Sequence, residues 1–209
     1  MMTEGCAKKT AGSRQGLLLV LSGPAGAGKS TVLRAVVEND PLARFSVSCT
    51  TRPRREDEVD GTDYHFLSEE EFAGKLEAGE FLEHAGVHKW RYGTLRTSVT
   101  NLMAEGFDVI MDIDVQGAEQ IRACNTPLIA SSFIDVFMMP ADTLELERRL
   151  RARGSEDEET FRLRMESALE ELEHWHHYTY RFLSSTREAD YQSLKAILEA
   201  ERLRVSRFS

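Results

Sequence analysis

One stretch constrains this chain more than any other. Leu17-Leu18-Leu19-Val20-Leu21 is followed, after Ser22, by Gly23-Pro24-Ala25-Gly26-Ala27-Gly28-Lys29-Ser30-Thr31. Five consecutive apolar residues fit a strand covered on both faces. The Gly-x-x-x-x-Gly-Lys-Ser spacing matches the Walker A pattern in full. Glycines let the backbone adopt positive φ and approach a phosphate closely. The N–H groups of the loop and of the following helix then converge on an anion. Lys29 is placed to reach the β and γ phosphates, and Ser30 to offer its hydroxyl to Mg²⁺. The helix sets Val32, Leu33, Val36 and Val37 on its inner face, and Asn39-Asp40-Pro41 ends it. Strand, glycine loop and helix in that order predict a three-layer α/β domain that binds a nucleoside triphosphate.

The remaining composition narrows the class. With 209 residues and 41% hydrophobic content, the chain suits one domain, or one domain with a small mobile lobe. Its charge, 26 − 35 = −9, argues against general binding to nucleic acid or an anionic membrane. No apolar run approaches the ~18 residues of a membrane span. Lys8, Lys9 and Arg14 before the apolar run imitate a signal peptide, but five residues fall short of the ~7–15 of a signal core. Residues 1–15 therefore read as a loose polar tail, and the protein as cytoplasmic. Cys6, Cys49 and Cys124 are odd in number, far apart and without metal-ligand spacing, which fits a reducing compartment.

Further along, the segment from Phe45 to Phe66 reads as short strands around a basic loop. Phe45-Ser46-Val47-Ser48 alternates like a strand, and Tyr64-His65-Phe66 is another. Ser68 and Glu71 have capping-box spacing, for a helix running to about Gly79. Phe81 to Ala85 reads as a strand, and Tyr92-Gly93-Thr94 as the lead into a helix ending at Glu105-Gly106. Phe107 to Ile113 and Ile134 to Met138 are buried strands, the first carrying Asp112 and Asp114 at its C-terminal end, the carboxyl edge where ligands of α/β sheets sit. A helix runs from Asp142 to Arg153-Gly154, and another starts at the acidic run Ser155 to Glu159, which reads as an exposed, mobile turn. Phe161, Met165, Ala168, Leu169, Leu172 and Trp175 fall at helical spacing. Gln192 to Leu203 is the predicted last helix.

Arginines are spread over the loops and late helices. Arg148, Arg151 and Arg162 fit a solvated helix surface, whereas Arg52 and Arg55 sit in a Thr/Pro-rich loop, where forked guanidinium groups suit phosphate oxygens. His174, His176 and His177 crowd one helix end, which suits the negative end of a helix dipole better than zinc. Cys49 reads as a small packed residue.

Several pieces then follow the glycine loop in a telling order: Ser46-Val-Ser-Cys-Thr-Thr-Arg52, Glu80-Phe-Leu-Glu83, Tyr92-Gly-Thr94, Asp108-Val-Ile-Met-Asp-Ile-Asp-Val-Gln-Gly117 and Arg149-Leu-x-x-Arg-Gly154. Over about residues 16–183 the chain resembles guanylate kinase. The resemblance implies a P-loop NTPase fold with a parallel central sheet, a small mostly-β lobe for the nucleoside monophosphate and a helical lid. It implies transfer of the γ-phosphoryl group of ATP to GMP with Mg²⁺, no nucleic-acid or membrane partner, and core segments 16–44, 95–142 and 170–203 around a GMP lobe at 45–94 and a lid at about 143–169. By the family pattern, Arg52, Arg55 and Tyr64 would hold the GMP phosphate with Tyr92 beside them. Ser48, Glu83, Thr94, Asp112 and Asp114 would serve the guanine side, with Glu58 nearby. Residues Gly23 to Thr31 would cradle ATP, Arg149 and Arg153 would close over its phosphates, and Arg164 would reach the transferring group.

Guanine presents N1–H and a 2-amino group side by side, and one carboxylate can accept both. Glu83 and Asp114 are suited to this, and the position of Asp114 at a strand end favours that role over simple capping. Three departures from the family pattern stand out: the order Arg52-Pro53-Arg54-Arg55-Glu56-Asp57-Glu58, the segment His88-Lys89-Trp90-Arg91, and Phe182-Leu183-Ser184-Ser185 where the family seats adenine with Val-Asn-Asp. Rival readings are an inactive guanylate-kinase-like binding module, which Lys29, Ser30, Arg149 and Arg164 disfavour, and a different small-molecule kinase, which the carboxylate pair disfavours. Replacing Lys29 by Met is expected to lower turnover by about 100-fold or more while the fold persists. Steady-state kinetics beside circular dichroism check this, and a folded variant with full activity contradicts the role.

Overall fold

A computed structural model describes residues 14–87, 89–152 and 158–208. In chain order the elements are β1 (Leu18–Ser22), α1 (Lys29–Asn39), β2 (Ala43–Phe45), β3 (Cys49–Thr50), β4 (His65–Phe66), α2 (Glu69–Glu77), β5 (Phe81–Val87), β6 (Trp90–Leu95), α3 (Arg96–Ala104), β7 (Asp108–Asp112), α4 (Val115–Arg122), α5 (Pro127–Ser132), β8 (Phe133–Met139), α6 (Thr143–Ala152), α7 (Glu158–Leu172), β9 (Tyr180–Leu183) and α8 (Arg187–Arg202). Among the described residues they form two sheets. The main sheet has the order β2-β7-β1-β8-β9 and is parallel throughout. A smaller sheet, β4-β3-β6-β5, is antiparallel except for the β3–β4 pair.

Strand β1 lies between β7 and β8, with Leu18 opposite both Val109 and Phe133. Its alternation explains the three layers. Leu19 and Leu21 pack with Val32, Leu33 and Val36 of α1 and with Leu194 and Leu198 of α8. Leu18 and Val20 face the other way, onto Val99 and Met103 of α3, Ala118 and Ile121 of α4 and Ile129 of α5. Both faces are covered, so the strand needs no polar alternation. Each buried large apolar side chain contributes about 1.5–3 kcal/mol.

Several boundaries differ from the sequence expectation. The predicted strand at Phe45–Ser48 is instead the connection between two strands, because the chain leaves the main sheet after Phe45 and enters the small one at Cys49. Tyr92-Gly93-Thr94 is not a lead-in but the middle of β6, paired with β5 and β3. Helix α7 stops at Leu172 and tightens into a 3₁₀ turn over Glu173–His177. Phe161, Met165, Ala168 and Leu172 pack with Leu146 and Leu150, whereas Leu169 is 41% exposed and lies off that face. Helix α8 starts five residues earlier than Gln192, because Thr186 caps it by accepting the Ala189 N–H. The Ser68–Glu71 capping box is present as expected. Most of the acidic run Ser155 to Glu159 lies outside the described residues.

Arg14 and Gln15, expected in the loose tail, are anchored. The Arg14 guanidinium lies 2.6 Å from Asp108, a carboxylate with no solvent exposure. Asp108 also accepts the Leu17 N–H at 2.9 Å and pairs with Arg202 at 2.6 Å. A buried carboxylate needs such partners, and here they fasten both ends of the domain to β7. Asp108→Ala takes the carboxylate partner from Arg14 and leaves Arg202 with Asp40 alone, and is expected to cost about 3–5 kcal/mol. Denaturant unfolding measures this, and a loss under about 1 kcal/mol contradicts it.

Candidate active site at the β1–α1 turn

Gly28 precedes α1 with φ of 105°, a left-handed conformation that a side chain would strain. No side chain caps this helix, so its first N–H groups face outward toward any anion placed there. The Lys29 ammonium folds back, donating to the Gly23 carbonyl at 2.5 Å, and lies 4.0 Å from Asp112. Two cavities flank this point. One of about 390 Å³ is lined by Ser30, Ser48, Glu58, Tyr64 and Asp112. The other, of about 300 Å³, is lined by Gly26, Gly28, Thr31, Arg149 and Asp190.

The first cavity is walled by the end of β7 and by the segments that lead into β3 and β4, and Ser48 joins it to the small sheet. Ser48 Oγ lies 3.3 Å from Thr94 Oγ1. Glu83, on β5, is only 6% exposed. Burial pushes its carboxyl above the ordinary range against a hydrogen bond from Thr94, and the charge of Asp114 adds to the rise. Gln120 of α4 fixes β5 here, donating to the His84 carbonyl and accepting its N–H. A Cβ at Gly117 would stand 3.1 Å from Glu83 Oε2; a glycine permits this close approach. Asp114 differs from expectation. Strand β7 ends at Asp112, and Asp114 is the N-cap of α4, with Oδ1 accepting the Gly117 N–H at 2.8 Å. The capping role considered secondary from the sequence is therefore real, and the charge of Asp114 still reaches Glu83.

The basic loop is organised by Glu58. Its carboxylate accepts from Arg52 at 2.6 Å and from the Arg55 N–H at 2.8 Å, and Arg52 holds it below its usual range. Glu58 thus shapes the loop while also lining the first cavity. The Arg52 guanidinium lies 5.5 Å from the Tyr64 ring centre, and Tyr64 meets Tyr92 edge-on at 6.0 Å. The Arg55 side chain is exposed.

At the second cavity, Arg149 sits on the glycine loop. Its Nη1 donates to the Ala27 carbonyl at 2.9 Å and its Nε to Glu145 at 2.7 Å. Arg148 and Arg149 together pull the Glu145 carboxyl down to about 2. Ala25 packs on the Leu146–Leu150–Ala168 cluster, so the loop and helices α6 and α7 touch directly. Arg164 is part-buried on α7, and Arg153 lies outside the described residues. Arg148, Arg151 and Arg162 make surface ion pairs with Glu145, Glu158 and Glu166. His174 lies 3.4 Å from Glu119. Cys49 is buried, and burial raises its thiol to about 11.

The sequence model of the family described as "Guanylate kinase" matches residues 15–201. The chain belongs to the guanylate kinase family. It is 43% identical over 195 residues to the guanylate kinase of Cereibacter sphaeroides, covering 93% of this chain and 91% of the relative. It is 45% identical to that of Paramagnetospirillum magneticum, covering 93% and 89%. The crystal structure of guanylate kinase from Anaplasma phagocytophilum superposes with a TM-score of 0.74 at 30% identity, over 95% of this chain and 93% of that one.

Two residues of this guanylate kinase family member escaped the sequence reading. Glu171 is half-buried, and burial raises its carboxyl while Lys29 pulls it down and Asp114 raises it further. It is seven residues beyond Arg164, two helical turns along the same face; that spacing was the available signal. Asp190 lines the second cavity, and no motif marks it. Replacing Glu83 by Gln removes one acceptor for a paired donor. KM for GMP is expected to rise about 10-fold or more, with KM for ATP within about 2-fold. In the parent protein, KM for GMP is expected to climb as pH falls through a titration lying above the ordinary glutamate range. Equal losses for both nucleotides contradict the assignment.

Proposed function

We propose that this protein transfers the γ-phosphoryl group of ATP to GMP, giving ADP and GDP, within guanine nucleotide synthesis and recycling. One observation carries the reading: two cavities flank the uncapped start of α1, and Ser48 on the wall of one lies in hydrogen-bond contact with Thr94, which pairs across the small sheet with the buried carboxylate of Glu83. Membership of the guanylate kinase family supports the same activity.

In this reading Glu83 accepts guanine N1–H and the 2-amino group, with Ser48, Thr94 and Asp114 Oδ2 around it. Adenine would turn an acceptor nitrogen toward Glu83 and leave a buried group unpaired, which rejects it strongly. Arg52, Arg55, Tyr64 and Tyr92 hold the GMP phosphate, and Asp112 borders it. Gly23 to Thr31 hold the ATP phosphates. Lys29, Arg149 and Arg164 face the charge that develops on the transferring group. Residues 45–94 act as the acceptor lobe and about 143–169 as a lid whose closure excludes water.

Ser30 stands exposed at the second position of α1 on the first cavity, a hard oxygen donor of the kind Mg²⁺ takes. It would hold the ion together with nucleotide phosphates and water, and the ion would neutralise phosphate charge. Among the described residues, no helix is long and apolar enough to cross a membrane. We take ATP and GMP as the partners and the cytoplasm as the compartment. The seated Lys29 and Arg149 favour an enzyme over a binding-only module.

A coupled ADP-release assay with ATP and each of GMP, AMP, CMP and UMP tests this. GMP is expected to exceed every other acceptor by about 1,000-fold or more in kcat/KM. No GDP, or comparable use of AMP, refutes it.

A further inference from the structure

The second cavity holds a carboxylate that the phosphoryl-transfer reading leaves without a task. Asp190 lies in the first turns of α8, is 5% exposed and lines the cavity beside Gly28, Thr31, Arg149 and Ser185. Its Oδ1 accepts the Ser185 N–H at 2.7 Å, and its Oδ2 accepts from Ser184 Oγ at 3.0 Å. Both donors are neutral. Among the described residues no Lys, Arg or His pairs with it. An ionised carboxylate offers about four lone-pair sites, so this one has acceptor capacity left over. Burial without a cation makes a further donor favourable, and the cavity is the side from which one can arrive.

The ligand's phosphates belong at the uncapped start of α1, and their charge would be repelled by Asp190. The part of a nucleotide that can approach this carboxylate is therefore the neutral nucleoside end. Ser184 Oγ also reaches within 3.5 Å of the Ala27 carbonyl, which ties the carboxylate's support to the glycine loop and fixes its distance from the phosphate cradle. We propose that Asp190 selects the phosphoryl donor by accepting a hydrogen bond from the exocyclic 6-amino group of its purine. A 6-oxo purine would set its own lone pairs against the carboxylate. Asp190 is thus a specificity-determining residue supplied by α8, held in place by Ser184 and Ser185. The inference rests on the donor reading given above.

The test measures kcat/KM with GMP as the fixed acceptor and four donors: ATP, 2′-deoxy-ATP, ITP and purine riboside triphosphate, which lacks any 6-substituent. ITP and purine riboside triphosphate are expected about 10-fold or more below ATP, with 2′-deoxy-ATP within about 3-fold. In Asp190→Asn the amide keeps an acceptor for the Ser185 N–H and presents N–H groups to a 6-oxo purine. The ITP-to-ATP ratio is expected to rise about 10-fold or more. Equal use of ATP and purine riboside triphosphate overturns the proposal. So does selective loss of 2′-deoxy-ATP, which would place a ribose hydroxyl there, or an Asn variant that loses all donors equally, which would make Asp190 a structural brace. If the variant melts early by circular dichroism, the four donors on the parent protein decide alone. Parent protein that makes no GDP from any donor refutes the phosphotransfer itself, whereas GDP formed with unmoved donor ratios refutes only the role of Asp190.

Discussion

The glycine loop runs from the end of buried β1 to Gly28, and the left-handed turn there starts α1 without a side-chain cap. A protein-supplied cap would satisfy one of the N–H donors that an incoming phosphate needs. The turn can hold this geometry because β1 cannot move. It is hydrogen-bonded on both edges and packed on both faces. The open start of α1 is therefore a consequence of the core, and both cavities flank it.

Charge is arranged to be ready before ligand arrives. The chain carries a net −9, yet Lys29 and Arg149 are held at the loop by backbone carbonyls. Neighbouring carboxylates, Asp112 and Glu145, orient these cations. Glu58 does the same for Arg52. Fixed cations of this kind reduce the reorganisation required when charge shifts during phosphoryl transfer. The proposed acceptor side follows a different logic. Glu83 is buried beside hydroxyls and a second carboxylate, so its ionised form is costly, and in the proposed reading a ligand with paired donors offsets that cost.

The sequence displayed those features whose physics is local. The glycine loop, the all-apolar β1 and the Ser68–Glu71 cap each depend on neighbouring residues, and each is found in place. What escaped reading depends on pairing over distance. Strand β6 is defined by β5 and β3, so its Tyr92-Gly93-Thr94 segment carries no strand pattern of its own. Helices α4 and α5 are short, and β9 is recognisable only as an edge partner of β8. Among site residues, Glu58 and Asp114 were recognisable as carboxylates near a ligand, but not as the staple and the cap that they are. Asp190 could not be singled out, because its burial follows from where Ser184 and Ser185 place the chain.

In the proposed reading two nucleotides occupy one continuous cleft across the start of α1. Calorimetric titration with a single molecule joining adenosine and guanosine through a polyphosphate chain tests it directly. One molecule per chain is expected to bind, more tightly than either nucleotide alone, and to be displaced by both ATP and GMP. Displacement by only one of them, with the other binding undisturbed, would contradict a shared cleft.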